Sequence, residues 1–384
     1  MKDKILTQKL KKMQEGITFD DILLLPGYTD FKRNDTDLSV ELHPKIKLNL
    51  PIISSPMDTV TEGEMAISMA LCGGLGIIHR NLRIERQAEI VKEVKNSELK
   101  AKNWVKPSID EKGRLLVGAA LGVGPDFKDR LKALYKAKVD LVVLDSGHGY
   151  SKFIIEATSF IKKHYPDLPV MAGNVATFEG AKALIQAGAD ILRVGMGPGS
   201  ICTTRVITGM GVPQLTAVSQ AVKAASGTNV KIIADGGIKQ PGDIAKALAF
   251  GADAVMLGSL LAGTKEAPGE VIKIGDKLFK EYRGMGSVKS MKKGGAERYG
   301  QKKETDEKKL IAEGVEGLVP YKGNLEDLLY QFAGSLRSSL YYIGAKNLKE
   351  FFEKAQFIKI SRAGLLESHP HSIKVVNGGG NYLS

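Results

Sequence analysis

From about residue 50 the chain repeats one unit, a short apolar run followed by a stretch with helical spacing. The runs are Ile52–Met57, Leu75–His79, Leu115–Gly122, Leu141–Ser146, Val170–Val175, Ile191–Gly197, Lys231–Gly237 and Ala254–Ser259. They are rich in Val, Ile, Leu and Ala, the pattern of strands buried on both faces. Between them, Glu62–Leu71, Ile84–Val94, Phe127–Ala137, Lys152–His164, Thr177–Ala187, Gln214–Ala225 and Gly242–Phe250 are spaced as helices. Two of these run into Gly-Ala-Asp, at Gly188-Ala189-Asp190 and Gly251-Ala252-Asp253. A glycine there closes a helix in the left-handed conformation, and its recurrence marks one repeated βα unit. Eight units predict an α/β fold closed as a (β/α)8 TIM barrel. No GxGxxG follows an early strand, which counts against an open doubly wound sheet.

Two segments stand outside the repeat in what otherwise reads as one catalytic barrel over residues 1–384. Residues 95–114 are polar and read as a short connection. Residues 264–323 form a long insertion after the eighth run, and residues 287–313 within it have almost no apolar periodicity. A stretch of that kind inside a compact domain is functional or disordered. Beyond it, Asn324–Tyr342 and Asn347–Glu353 read as helices and Phe357–Ile360 as a short final strand.

Composition narrows the class. Two cysteines in 384 residues make no disulfide framework and suit a reducing compartment. The polar, basic N-terminus lacks the apolar core of a signal peptide, and no apolar run reaches membrane-spanning length. The expected location is the cytoplasm. The net charge of +12 comes from scattered lysines with no interleaved aromatic motif, so it reads as a solvated surface and an anionic small substrate rather than a nucleic-acid footprint.

Barrel chemistry sits at the C-terminal ends of the strands, where the polar residues of this chain collect. The loops Asp235-Gly236-Gly237 and Gly258-Ser259, after the seventh and eighth runs, suit phosphate: glycine lets amides approach its oxygens, and Ser200 and Ser259 add hydroxyls. Asp235 would then face a ribose diol. Asp145 could hold a second ribose or cap the helix that follows. Cys72 lies in the apolar run Met65–Cys72 and reads as a buried hydrophobe. Cys202 lies among Gly199, Ser200, Thr203, Thr204 and Arg205, where amides and a cation favour thiolate and covalent catalysis. His369 and His371 are too isolated to form a zinc site.

Gly197-Pro198-Gly199-Ser200-Ile201-Cys202-Thr203-Thr204-Arg205 resembles the catalytic loop of the IMP dehydrogenase and GMP reductase family. Thr18–Leu24, Ser54–Val60, Gly211–Gln214, Ala234–Ile238 and Tyr282–Ser287 resemble family segments in the same order. The resemblance implies that Cys202 attacks C2 of a purine nucleotide. Ser55, Met57, Asp235 and Tyr282 would hold IMP, with Ser200, Gly237, Gly258 and Ser259 around its phosphate. Gly284, Met285, Gly286 and Glu313 would meet the base. Asp145, Ser146, Asn174 and Arg193 would line the nicotinamide-ribose side of NAD. A monovalent cation, K⁺, would be bound by carbonyls of Gly197, Gly199 and Cys202, with Glu367, Ser368 and His369 of a neighbouring subunit, in a homotetramer.

Arg298-Tyr299 in the insertion, together with Gly286-Ser287, resembles the dehydrogenase branch, whose mobile flap serves hydrolysis of the covalent purine. The reductase branch, which deaminates GMP with NADPH, lacks that pair. Arg298 would act as base with Tyr299, helped by Thr204, although free arginine titrates above 12. Two features depart from the family. Residues 95–114 occupy the place of a regulatory pair of CBS modules and are too few for a folded domain. Gly300 stands where an aromatic is common, and the charged run Lys302–Lys309 follows it.

Overall fold

The computed structural model describes the chain except for residues 1, 101, 302–305, 377, 380, 381, 383 and 384. The eight apolar runs form one closed parallel barrel. Its strands are β1 (Ile52–Ser54), β2 (Leu75–Ile78), β3 (Val117–Leu121), β4 (Leu141–Asp145), β5 (Val170–Val175), β6 (Ile191–Val194), β7 (Lys231–Asp235) and β8 (Ala254–Leu257). All but β5 are shorter than their apolar runs, mostly because the polar C-terminal ends turn out of the sheet to build the mouth. Helices α1 (Gly63–Leu71), α2 (Ile84–Lys95), α3 (Phe127–Lys136), α4 (Lys152–His164), α5 (Phe178–Gln186), α6 (Gln214–Ala225) and α7 (Pro241–Ala249) follow β1 to β7 in turn. Helix α8 (Leu325–Ile343) packs between α7 and α1 and completes the ring.

The Gly-Ala-Asp repeat has a definite task. Asp190, just before β6, accepts the N–H of Val170 at the start of β5 at 2.8 Å. Asp253, before β8, accepts the Ile232 N–H of β7 at 2.7 Å; Asp140, which follows Lys138-Val139 rather than Gly-Ala, does the same before β4, accepting the Val117 N–H of β3 at 2.8 Å. The amides of all three aspartates return bonds to the carbonyls of the same partners. These reciprocal pairs satisfy strand-start donors that burial would otherwise leave unpaired.

The hairpin Val40–His43 and Ile46–Leu48 lies outside the expected repeat. Its Leu42, Ile46 and Leu48 join Ile53, Leu75, Leu141 and Ile191 in one buried cluster inside the barrel. The hairpin therefore plugs the N-terminal end. Ile22–Leu24 pairs antiparallel with Phe357–Lys359, close to the final strand expected from sequence.

The described residues of the insertion carry regular elements that its weak apolar periodicity did not announce. Ile272–Ile274, Lys277–Arg283 and Glu316–Pro320 make an antiparallel sheet. Much of it is exposed, so the apolar alternation that announces a strand is weak. A short helix, Val288–Lys292, and a 3-10 turn, Gly295–Tyr299, follow, and Met291, Ala296 and Leu310 form a small core of their own. Within the run Lys302–Lys309, residues 302–305 lie outside the described residues, and Glu307–Lys309 is a 3-10 turn. Residues 95–114 form a connection tied down by the buried Lys95, which bonds Asp110 at 3.0 Å and Asp140 at 2.7 Å. Among the described residues no helix is long and apolar enough to cross a membrane.

Asp253→Ala removes a half-buried acceptor and leaves the Ile232 amide without its side-chain partner. We expect a loss of about 1–3 kcal/mol in urea unfolding, against little change for Asp276→Ala in an exposed turn. Equal stability of the two variants would refute the role given to the repeat.

Candidate active site

The strand ends, the loop after β6 and the insertion enclose a cavity of about 340 Å³ at the C-terminal mouth, a size suited to a small-molecule ligand. Cys202 sits on its wall. The loop carrying it is fixed on both sides: Cys202 N–H donates to Gly199 O at 3.0 Å, Thr203 N–H to Glu313 O at 3.0 Å, and Val315 N–H to Ile201 O at 3.0 Å. Gly284 N–H donates to Val315 O at 2.9 Å and Glu313 N–H to Gly286 O at 3.1 Å. Residues 313–315 are thus laced between the cysteine loop and the segment after Lys277–Arg283.

The polar partner of the thiol is Thr204. Cys202 Sγ donates to Thr204 Oγ1 at 3.2 Å, and Thr204 Oγ1 donates to Glu313 Oε2 at 2.8 Å. Arg205, expected as a nearby cation, donates Nη2 to the Val212 carbonyl at 2.6 Å. Cys72 is buried, and burial pushes its thiol up to about 12.

On the side of β7 and β8, Gly236, Gly237, Gly258, Ser259 and Ser200 line the cavity with Ser55, Met57 and Tyr282. A Cβ on Gly258 would lie 2.7 Å from the Tyr282 hydroxyl oxygen, so the close approach there requires glycine. Burial raises the Tyr282 phenol well above its usual range.

The opposite side is built on buried charge. Arg193 of β6 is 2 % exposed. It donates Nη1 to Asp145 Oδ1 at 2.6 Å and Nε to Asp235 Oδ2 at 2.8 Å, and Asn174 Nδ2 donates to the same Asp235 oxygen at 2.7 Å. Arg298 of the insertion donates Nη1 to Asp145, and its carbonyl accepts the Gly147 N–H at 3.0 Å. Arg80, which follows β2, brings Nε to 3.8 Å from Asp145 Oδ2. Burial alone would raise the Asp145 carboxyl, but Arg298, Arg193 and Arg80 outweigh it and hold it below the usual range. Burial would also lower Arg298, yet Asp145 carries it above its ordinary value. Tyr299 lies against Gly286: a Cβ there would stand 2.7 Å from its ring.

Cys202, Thr204, Arg298, Tyr299, Ser55, Met57, Ser200, Asp235, Gly237, Gly258, Ser259, Tyr282, Gly284, Met285, Glu313, Ser146, Asn174, Arg193, Gly197 and Gly199 all line this one cavity. The structure places Asp145 and Gly286 behind the wall, under Arg298 and Tyr299. Helix α4 starts from Ser151, so Asp145 is not its cap. Glu313, expected against a base, is engaged by Thr204. Glu367, Ser368 and His369 lie at and just beyond the end of the short helix Arg362–Glu367, away from the cavity of their own chain. Sequence reasoning missed Arg80; its position directly after the second apolar run, at the mouth, is the signal that was available.

Fold and site define a (β/α)8 barrel with a thiol, glycine-rich loops and a buried arginine–carboxylate network at one mouth. The family described as IMP dehydrogenase / GMP reductase domain matches residues 16–371, and the chain belongs to that family. Among similar proteins, the inosine-5′-monophosphate dehydrogenase of Cryptosporidium parvum is 45% identical over 406 residues, covering 97% of this chain and 99% of that protein. The enzyme of the same name from Borreliella burgdorferi (strain ATCC 35210 / DSM 4680 / CIP 102532 / B31) is 44% identical over 397 residues, 94% of this chain and 98% of that one. The one from Aquifex aeolicus (strain VF5) is 41% identical over 485 residues, 97% and 98%. That last alignment is longer than the 384 residues here, so the Aquifex protein carries an internal stretch without counterpart in this chain.

Burial and the high value of its thiol leave Cys72 unreactive. Iodoacetamide at pH 8 is expected to modify Cys202 and spare Cys72 in peptide mass mapping. Comparable labelling of both would contradict the site as described.

Proposed function

We propose that the chain oxidises IMP to XMP with NAD, with Cys202 as nucleophile. The observation that carries this reading is one cavity lined together by Cys202, the glycine loops Gly236-Gly237 and Gly258-Ser259, and Arg298-Tyr299. The cradle of Gly237, Gly258, Ser259 and Ser200 binds the 5′-phosphate. Tyr282, Met57 and Ser55 close over the nucleotide, and Gly284 and Met285 border its base. Asn174 and Arg193 face the cofactor side.

The Cys202 thiolate adds to C2 of the purine, and NAD, when bound, accepts the hydride that leaves C2. A thioimidate joins sulfur to C2. Water then adds at C2, the carbon–sulfur bond breaks and its electron pair returns to Cys202. The path Thr204 to Glu313 carries a proton away from the attacking water. Arg298 is charged while it is bound to Asp145, so in this arrangement it stabilises negative charge; to serve as base it must leave that carboxylate. Asp145 is also the residue expected to receive the cofactor's ribose. Arg298 and the cofactor therefore compete for one carboxylate, which separates the two halves of the reaction in time. Arg298-Tyr299 also favours the dehydrogenase over a GMP reductase.

K⁺ fits the oxygen-rich cysteine loop, where Gly197 adopts φ +77° and carbonyls can replace a hydration shell. Gly197, Gly199 and Cys202 would hold it and keep the loop in shape. Glu367, Ser368 and His369, which would complete the site, do not line the cavity of their own chain. A homotetramer supplies them from a neighbour. Two free thiols suit the cytoplasm.

The test is NADH formation from IMP and NAD in K⁺ buffer. Cys202→Ala is expected to abolish it. Arg298→Ala is expected to keep a first-turnover burst of NADH while steady-state turnover falls roughly 10²–10⁴-fold. NADPH consumption with GMP, and no turnover with IMP, would move the assignment to the reductase.

A further inference from the structure

Lys280, in the strand Lys277–Arg283, is 1% exposed. An ammonium at that depth is costly unless a carboxylate pairs with it, yet the described residues provide no ion pair for it. Its Nζ instead donates to three main-chain carbonyls: Thr264 at 3.2 Å, Lys265 at 3.4 Å and Ala267. Glu266 and Glu64 act on it only from farther away, and the Glu266 carboxylate is engaged by the Leu325 N–H at 2.9 Å. A second lysine repeats the arrangement. Lys322, after the strand Glu316–Pro320, donates Nζ to the Leu260 carbonyl at 3.0 Å and its backbone N–H to Gly263 O at 2.8 Å. Burial pushes this ammonium down to about 8.

All of these carbonyls belong to one short element and its exit. The helix Ser259–Ala262 starts at the cavity with Gly258 and Ser259 and ends at Gly263. Its amide end faces the site; its carbonyl end faces the two lysines. The insertion thus grips the turn from behind through two charges rather than through apolar packing. Four residues of helix span about 6 Å, so both ammoniums lie on the order of 10 Å from an anion at the amide end.

We propose that Lys280 and Lys322 are positioning residues for the substrate's phosphate monoester. They fix the carbonyl end of the Ser259–Ala262 turn, polarise its amides toward the anion and supply the charge that balances it. This rests on the reading of Gly258 and Ser259 as part of the phosphate cradle. It gives the insertion a second task beside the delivery of Arg298.

Equilibrium titrations of the full-length enzyme with IMP, and with inosine as its phosphate-free counterpart, test it. Lys322→Gln and Lys280→Met are each expected to weaken IMP about tenfold, the effect of one charge at that distance in a partly buried setting. Inosine affinity should stay within about twofold, KM for IMP should rise while kcat holds, and Lys322→Arg should recover most of the loss. Lys322→Gln decides alone if Lys280→Met does not fold. Equal losses for IMP and inosine would overturn the proposal in favour of a purely structural role. So would unchanged IMP binding in Lys322→Gln alongside weakened binding in Ser259→Ala. If the unmodified enzyme does not prefer IMP to inosine and Ser259→Ala has no effect, the phosphate reading itself fails, and the proposal with it.

Discussion

The site is organised around one buried guanidinium. Arg193 projects from β6 and ties Asp145 of β4 to Asp235 of β7, with Asn174 of β5 on the same Asp235 oxygen. Four strand ends are held in one charged lattice, in an interior where breaking one partner of such a network costs several kcal/mol. The cysteine loop leaves β6 directly after this anchor. The glycine loops proposed to hold phosphate leave β7 and β8 next to it. Position at the mouth is therefore set by charge pairing across strands, while the barrel below is set by apolar packing around the plug of Leu42, Ile46 and Leu48.

The insertion uses the same lattice. Arg298 completes the coordination of Asp145, Tyr299 lies over Gly286, and Lys280 and Lys322 brace the turn after β8. One segment thus touches both sides of the cavity through polar contacts. Its own hydrophobic support is small: Met291, Ala296 and Leu310. Elements with few buried apolar contacts open at low free-energy cost, which is what the proposed alternation between cofactor binding and hydrolysis would require.

The barrel was legible because each strand is a continuous apolar run and each helix keeps its spacing, so type and order follow from local pattern. Even the Gly-Ala-Asp phrase was visible, though its pairing with the preceding strand was not. The hairpin at residues 40–48 escaped notice because its apolar positions are few and interrupted by a turn. The sheet of the insertion escaped because its strands are exposed and its central strand pairs with residues far along the chain. The cysteine loop stood out through its glycines and hydroxyls. The partner of Arg298 could not be inferred, since it lies 153 residues away, and no spacing rule reaches across a fold. Lys280 looked like one more surface lysine in a chain of +12; only the structure shows it inside.

The Asp145–Arg298 pair also bears on how tightly any molecule can bind on the cofactor side. A ligand that needs Asp145 would have to displace Arg298, and if the receptive form is a fraction of the population its apparent affinity is scaled down by that fraction. Changes outside the cavity wall, in the small core of Met291, Ala296 and Leu310, would reset that fraction without altering an atom that the ligand touches. Two relatives with identical pockets can then differ in sensitivity to the same inhibitor, and the difference is written in the insertion's stability rather than in the pocket's shape.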